Sequence, residues 1–148
     1  MRTDEIVRYL EGDGQNSAIY IAVNTLDLLK KSGRVTAAGA ALGTLMSIKP
    51  VLQIRGAKLD AYKRVRGMSA ATDIIVNALK NDRETMFAGH NVTIPAAYSG
   101  SEAKGEAWRQ KLQEAFPDIE VEKDPLSISI ACHVGEDALG VGIMRNIL

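Results

Sequence analysis

The stretch LLKKSGRVTAAGAALGTLMSIKP, from Leu28 to Pro50, constrains this chain more than any other. It begins inside a short amphipathic helix, with Leu26, Leu28 and Leu29 apolar and Lys30 and Lys31 polar. Gly33 stops that helix, because glycine accepts the left-handed conformation a helix C-terminus favours. Arg34 follows at once. Thr36 can cap a second helix, its hydroxyl accepting from an unpaired N–H of the first turn. That helix, Ala37 to Met46, is built of Ala, Gly, Leu and Met. With so few long polar side chains it is buried, or lies against a partner or an apolar ligand. Lys49-Pro50 ends it, and Val51 to Ile54 begins a strand. Composition alone makes the second helix a core element and Arg34 a surface charge.

The remaining segments alternate between helix and strand signals. Thr3 can cap a first helix with Ile6, Val7 and Leu10 on one face, and Gly12 to Asn16 reads as a turn. Ser17 to Val23 alternates as a strand, after which Asn24 or Thr25 caps the leucine helix. Arg55 to Lys58 turns the chain, so that Leu59 to Val65 returns as a hairpin partner. Gly67 ends that strand. Ala71, Ile74, Ile75, Ala78 and Leu79 then mark a helix from Ser69 to Asn81.

Asn91 to Ala97 is a strand, with Pro95 suited to an edge or a strand end. Ser99 and Glu102 fit a capping box that opens a helix running to Phe116, with Trp108, Leu112, Ala115 and Phe116 on one face. Ile119 to Lys123 is a short strand and Ala138 to Met144 a final apolar one. Leu126 to Val134 reads either as a strand or as a helix opened by Pro125. The order implies one α/β domain over 1–148, a mixed β-sheet flanked by helices.

Charge and composition exclude several classes. Eighteen Lys and Arg balance eighteen Asp and Glu, where a general nucleic-acid binder carries a basic excess. The longest apolar stretch, Ala37 to Met46, is too short to span a bilayer. The N-terminus lacks the apolar run of a signal peptide, so the expected location is cytoplasmic. One cysteine, Cys132, permits no internal disulfide. It reads as a small buried apolar side chain, although His133 beside it invites a nucleophile reading. Two histidines far apart and no Cys/His cluster leave no expected metal. No phosphate loop or dinucleotide fingerprint implies a cofactor.

Three pieces, in order, resemble the DegV family of bacterial fatty-acid-binding proteins. They are Leu29-Lys30-Lys31-Ser32-Gly33-Arg34-Val35 with Ile48-Lys49-Pro50-Val51-Leu52, then Lys63-Arg64-Val65-Arg66-Gly67, then His133-Val134-Gly135 with Ala138-Leu139-Gly140-Val141. The resemblance covers the second half of a typical member. It implies the fold of that C-terminal domain, with helix at Leu126 to Val134, and an N-terminal domain absent from this chain. It further implies a non-enzymatic lipid-binding role, in which a long-chain fatty acid is presented to a fatty-acid kinase for acyl-phosphate formation. His133 would approach the acyl carboxylate. Arg34 and Arg66 would form part of the positive surface that receives the kinase and the phosphate, since guanidinium pairs well with both anions. The sequence departs from the family pattern at Ser32 and at Glu136-Asp137, two acids close to His133.

Read without the resemblance, Arg34 and Arg66 are solvated charges and His133 is a histidine satisfied in the core. Two further functional readings stand beside the carrier. One is an assembly module that forms a homodimer through an apolar face. The other is an enzyme acting on a small phosphorylated or acyl substrate through Arg34, Arg66 and His133.

Overall fold

The computed structural model describes residues 2–13, 16–33, 48–56 and 58–146. The expected helix from Ala37 to Met46 and the side chain of Arg34 lie outside them. The elements run α1 (Thr3–Asp13), β1 (Ala18–Ala22), α2 (Asp27–Lys31), β2 (Ile48–Arg55), β3 (Lys58–Arg66) and α3 (Met68–Glu84). They continue with β4 (Val92–Thr93), β5 (Ala96–Tyr98), α4 (Glu102–Ala115), β6 (Lys123–Pro125), α5 (Ile128–Val134) and β7 (Leu139–Arg145).

The seven strands form a mixed sheet in the order β3-β2-β1-β7-β5-β6, with β4 beside β7. All pairs are antiparallel except β5 with β6. This is the α/β architecture that the alternation of elements implies. The registers bring the C-terminal ends of β1, β3, β5 and β6 to one edge, together with the starts of β2 and β7. Helices α2, α3, α4 and α5 all begin at that edge. Open α/β sheets place ligands outside such strand ends.

Each face of the sheet has its own core. On one face Tyr20, Ala22, Val51, Val141 and Ile143 pack with Ile75 and Leu79 of α3 and with Trp108 and Leu112 of α4. On the other, Ile21, Val23 and Leu52 pack with Leu26, Leu29, Val134 and Ala138 around α2 and α5. Burying one such side chain contributes about 1.5–3 kcal/mol. The Trp108 indole N–H donates to the Gly140 carbonyl at 2.8 Å, fixing α4 to β7. Gly105 lets α4 lie against Tyr98, whose ring atoms would stand 2.6 Å from any Cβ at that position.

Several local expectations are corrected. Thr3 is already helical; the Arg2 N–H donates to the Glu5 carboxylate at 2.8 Å, so the cap begins one residue earlier. The helix runs on to Asp13, through the start of the expected turn. Neither Asn24 nor Thr25 caps α2. Its N-cap is Leu26, and the Thr25 hydroxyl instead accepts from the Asp27 N–H at 3.2 Å.

The expected strand from Asn91 to Ala97 splits around Pro95 into β4 and β5. The expected strand at Ile119 to Lys123 begins only at Lys123, because a side chain occupies the earlier backbone groups. The Gln113 amide donates to the Phe116 and Ile119 carbonyls and accepts from the Val121 N–H. Ser99 does not cap α4; Ser101 holds that position. The buried Ser99 hydroxyl donates to the Gly135 carbonyl at 2.5 Å and accepts from the Ala138 N–H at 2.9 Å. Glu102, the other half of the expected box, accepts from the Tyr98 hydroxyl and from Lys123.

Candidate acyl-binding face and its polar end

Strand register determines which side chains share the face carrying α2 and α5. Ile19 stands opposite Ile54 on one side and Gly142 on the other, and Ile21 stands opposite Leu52 and Gly140. Leu59 of β3 joins them opposite Ile54. Successive strand residues alternate faces, so Met144, two beyond Gly142, belongs to the same set. The face is therefore apolar from β3 to β7. Its last strand presents two glycines where its neighbours present isoleucines.

His133 sits at the polar end of this face, one residue before Val134, which enters the core beneath it. It is half-buried in the last turn of α5, and its ring makes no hydrogen bond to another described residue. Gly135 then ends the helix with φ +81°, a conformation L side chains rarely adopt, while its N–H closes the turn on the Ala131 carbonyl at 2.8 Å. A Cβ at Gly135 would also meet Leu28 of α2 at 3.2 Å. Glycine here thus permits both the turn and the close packing of α2 against α5.

Arg66 ends β3 opposite Ile48. Its neighbour Val65 packs into the α3 and α4 core, so Arg66 projects to the other face, the one His133 occupies. It is exposed and has no ion pair among the described residues. The structure therefore brings Arg66 and His133 to one end and one face of the sheet. Strands β3 and β7 are three spacings apart, roughly 14 Å. Arg64 lies two residues before Arg66, opposite Pro50, and shares its face. Sequence reading assigns Arg64 no role, although the i, i+2 spacing of two arginines in a strand is the signal that could have found it. The position of Arg34 lies outside the described residues.

The acids after Gly135 do not crowd His133 with free charge on both sides. Asp137, with φ 62°, is held by Lys104 of α4 at 2.7 Å, toward the opposite face. Glu136 is exposed. Cys132 is exposed rather than buried, its Sγ 3.3 Å from the Ser129 carbonyl. Helix geometry explains this: Val134 takes the inward position of this short helix, which turns Cys132 to solvent.

A separate cavity of about 420 Å³ lies on the other face between α3 and α4, lined by Met68, Thr72, Lys104, Trp108, Lys111 and Asp137. Its cations are already answered: Lys104 by Asp137 at 2.7 Å, and Lys111 by Asp73 at 2.6 Å and the Thr72 hydroxyl at 2.7 Å. Among the described residues, no group of three or more His, Cys, Asp or Glu side chains is placed to hold a metal ion. None of their helices is long and apolar enough to cross a membrane.

Comparison with known proteins gives this arrangement a context. The chain is 33% identical over 141 residues to a DegV domain-containing protein of Listeria monocytogenes, covering 93% of this chain and 48% of that one. The crystal structure of a fatty-acid-binding DegV family protein from Streptococcus agalactiae superposes with a TM-score of 0.82 at 30% identity, over 99% of this chain and 50% of that one. A fatty-acid-binding DegV family protein from Thermus thermophilus superposes with a TM-score of 0.83 at 28% identity, over 99% and 51%. The chain thus spans about half the length of the relatives it matches. The profile of the family described as uncharacterised DegV proteins matches residues 2–146, and the chain belongs to the DegV family.

Proposed function

We propose that this chain is a lipid-binding domain that takes the acyl chain of a long-chain fatty acid on the α2/α5 face of its sheet. The observation that carries the reading is an apolar face, floored by Gly140 and Gly142, with His133 at one end and no described hydrogen-bond partner on its ring. An acyl chain needs apolar surface along its length and a donor at its carboxylate, and an imidazole N–H is such a donor. Two structural relatives at 28–30% identity are fatty-acid-binding proteins, which supports the ligand class.

In this reading the chain corresponds to the C-terminal domain of the longer relatives, and a second, N-terminal domain completes the site. The protein carries the fatty acid and presents it to a kinase without itself transferring phosphate. Arg66, with Arg34, attracts the kinase or the acyl phosphate, and no side chain is assigned a catalytic role. The test is mass spectrometry of lipid extracted from the purified protein, with titration by a fluorescent long-chain fatty acid. Saturable binding competed by unlabelled fatty acid is expected. No saturable binding at any concentration below the micellar range would overturn the reading.

A second reading, self-association, is favoured by one observation. Ile128 is 88% exposed and Ile130 also faces solvent on α5, while Ile6, Val7 and Leu10 form an exposed apolar stripe on α1. Exposed apolar patches mark interaction surfaces. A stable homodimer by sedimentation, with no bound lipid, would favour this reading over the carrier.

A further inference from the structure

Among the described residues, no packing demands glycine at Gly140 or Gly142. Glycine inside a strand weakens it by about 0.5–1 kcal/mol relative to alanine. A backbone requirement would justify that cost, but neither residue has a left-handed φ. Steric crowding would also justify it, but the described residues supply none. A Cβ at Gly140 would come no closer than 3.7 Å to Ala97, and one at Gly142 no closer than 3.5 Å to Pro95, both ordinary contact distances. The sheet tolerates alanine at each position, yet holds none. An interior strand glycine often marks a bulge, a bend or the close approach of a ligand or another backbone, and the β7 pairing with β1 runs through both positions without a register shift.

The two positions differ in what lies around them. At Gly140 the nearest atoms belong to the sheet itself, the Ala97 Cβ and two backbone carbonyls. At Gly142 the side chains of Pro95 and Met144 close in, the Met144 Cε standing 3.6 Å from the missing Cβ. Met144 folds back along its own strand to reach that point. It remains 40% exposed, so no core packing fixes it there. Ile19 stands across from Gly142 on β1.

From this geometry we infer that Gly140 and Gly142 are the floor of the acyl trough and that Met144, with Pro95, is its end stop, setting the length of fatty acid accepted. The inference rests on the fatty-acid reading above. The carboxylate lies at the His133 end and the terminal methyl at the Met144 end. Strand β7, seven residues long, spans roughly 20 Å, the scale of an extended long-chain acyl group. Methionine suits an adjustable stop, being unbranched and able to fill or vacate a gap by rotation.

The test is competitive binding of a saturated fatty-acid series, differing only in length, to wild type, Gly142→Ala and Met144→Ala. Thermal melts establish that each variant is folded. Gly142→Ala narrows the trough and weakens the longest chains by about tenfold or more relative to shorter ones, the scale of an overpacking penalty. Met144→Ala shifts the preferred length upward. Folded variants with the wild-type length preference overturn the end-stop assignment while leaving the fatty-acid reading intact. A wild type that binds no member of the series overturns both.

Discussion

Removing one hydroxyl from the core, Tyr20→Phe, has an effect on stability whose size depends on pH. Tyr20 is buried on β1 and its hydroxyl donates to the Asp82 carboxylate of α3 at 2.7 Å. The same oxygen accepts from Arg55 at 3.1 Å, while Arg55 reaches Asp82 at 2.5 Å. At neutral pH the variant loses one charge-assisted bond but keeps the Arg55–Asp82 pair, a cost of about 1.5 kcal/mol. In a domain of this size that lowers Tm by roughly 3–6 °C.

Burial, and then the hydrogen bond to Asp82, push the Tyr20 pKa up to about 12, whereas an unfolded tyrosine titrates near 10. Between those values the unfolded chain gives up its proton and the native one keeps it. The unfolded state then binds fewer protons, and wild-type stability falls by about 1.4 kcal/mol per pH unit. The Tyr20 contribution is complete below pH 10 and lost as pH rises toward 12. The Tyr20→Phe variant has no hydroxyl to titrate there. Urea denaturation of both proteins at pH 8, 10 and 11.5 isolates the contribution by difference. The advantage of wild type should hold from pH 8 to 10, then shrink by about 2 kcal/mol at pH 11.5, reaching zero or reversing. A constant difference across all three pH values would refute a buried, proton-retaining Tyr20.

Two further outcomes concern the polar end of the proposed acyl face. His133→Ala should weaken long-chain fatty-acid affinity by about tenfold or more, the loss of one charge-assisted bond worth roughly 1.5–3 kcal/mol; unchanged affinity with the fold intact returns His133 to a structural role. Arg34→Glu combined with Arg66→Glu should leave fatty acid bound but sharply reduce acyl-phosphate formation with added kinase, a defect that weakens as salt rises. Normal phosphorylation would make both arginines ordinary solvated charges.

How far the sequence reveals the fold depends on whether a signal is local. Helices α3 and α4 are readable because their apolar residues recur at helical spacing, and the β2–β3 hairpin because a turn stands between two strand patterns. Strand β1 is legible too, and its side chains enter the cores on both faces of the sheet. Ser99 misleads because the capping pattern is short and cannot reveal that Gly135 and Ala138, distant in sequence, claim the same hydroxyl. Gln113 similarly replaces an expected strand with side-chain bonds. The Tyr20–Asp82–Arg55 cluster spans 62 residues and leaves no pattern to read. At the candidate site, motif residues point to His133 and Arg66, but only the register puts them on one face. It is likewise the register that sets Gly140 and Gly142 opposite Ile21 and Ile19.

The proposal that a fatty acid lies on the α2/α5 face is tested most directly by methyl NMR of the protein titrated with a long-chain fatty acid. The methyls of Ile19, Ile21, Leu52, Ile54 and Leu59 report that face; those of Ile75, Leu79 and Leu112 report the opposite core. Saturable shifts in the first set, with the second set still, are the predicted result. Shifts confined to the second set, or no saturable shift in either, would contradict it.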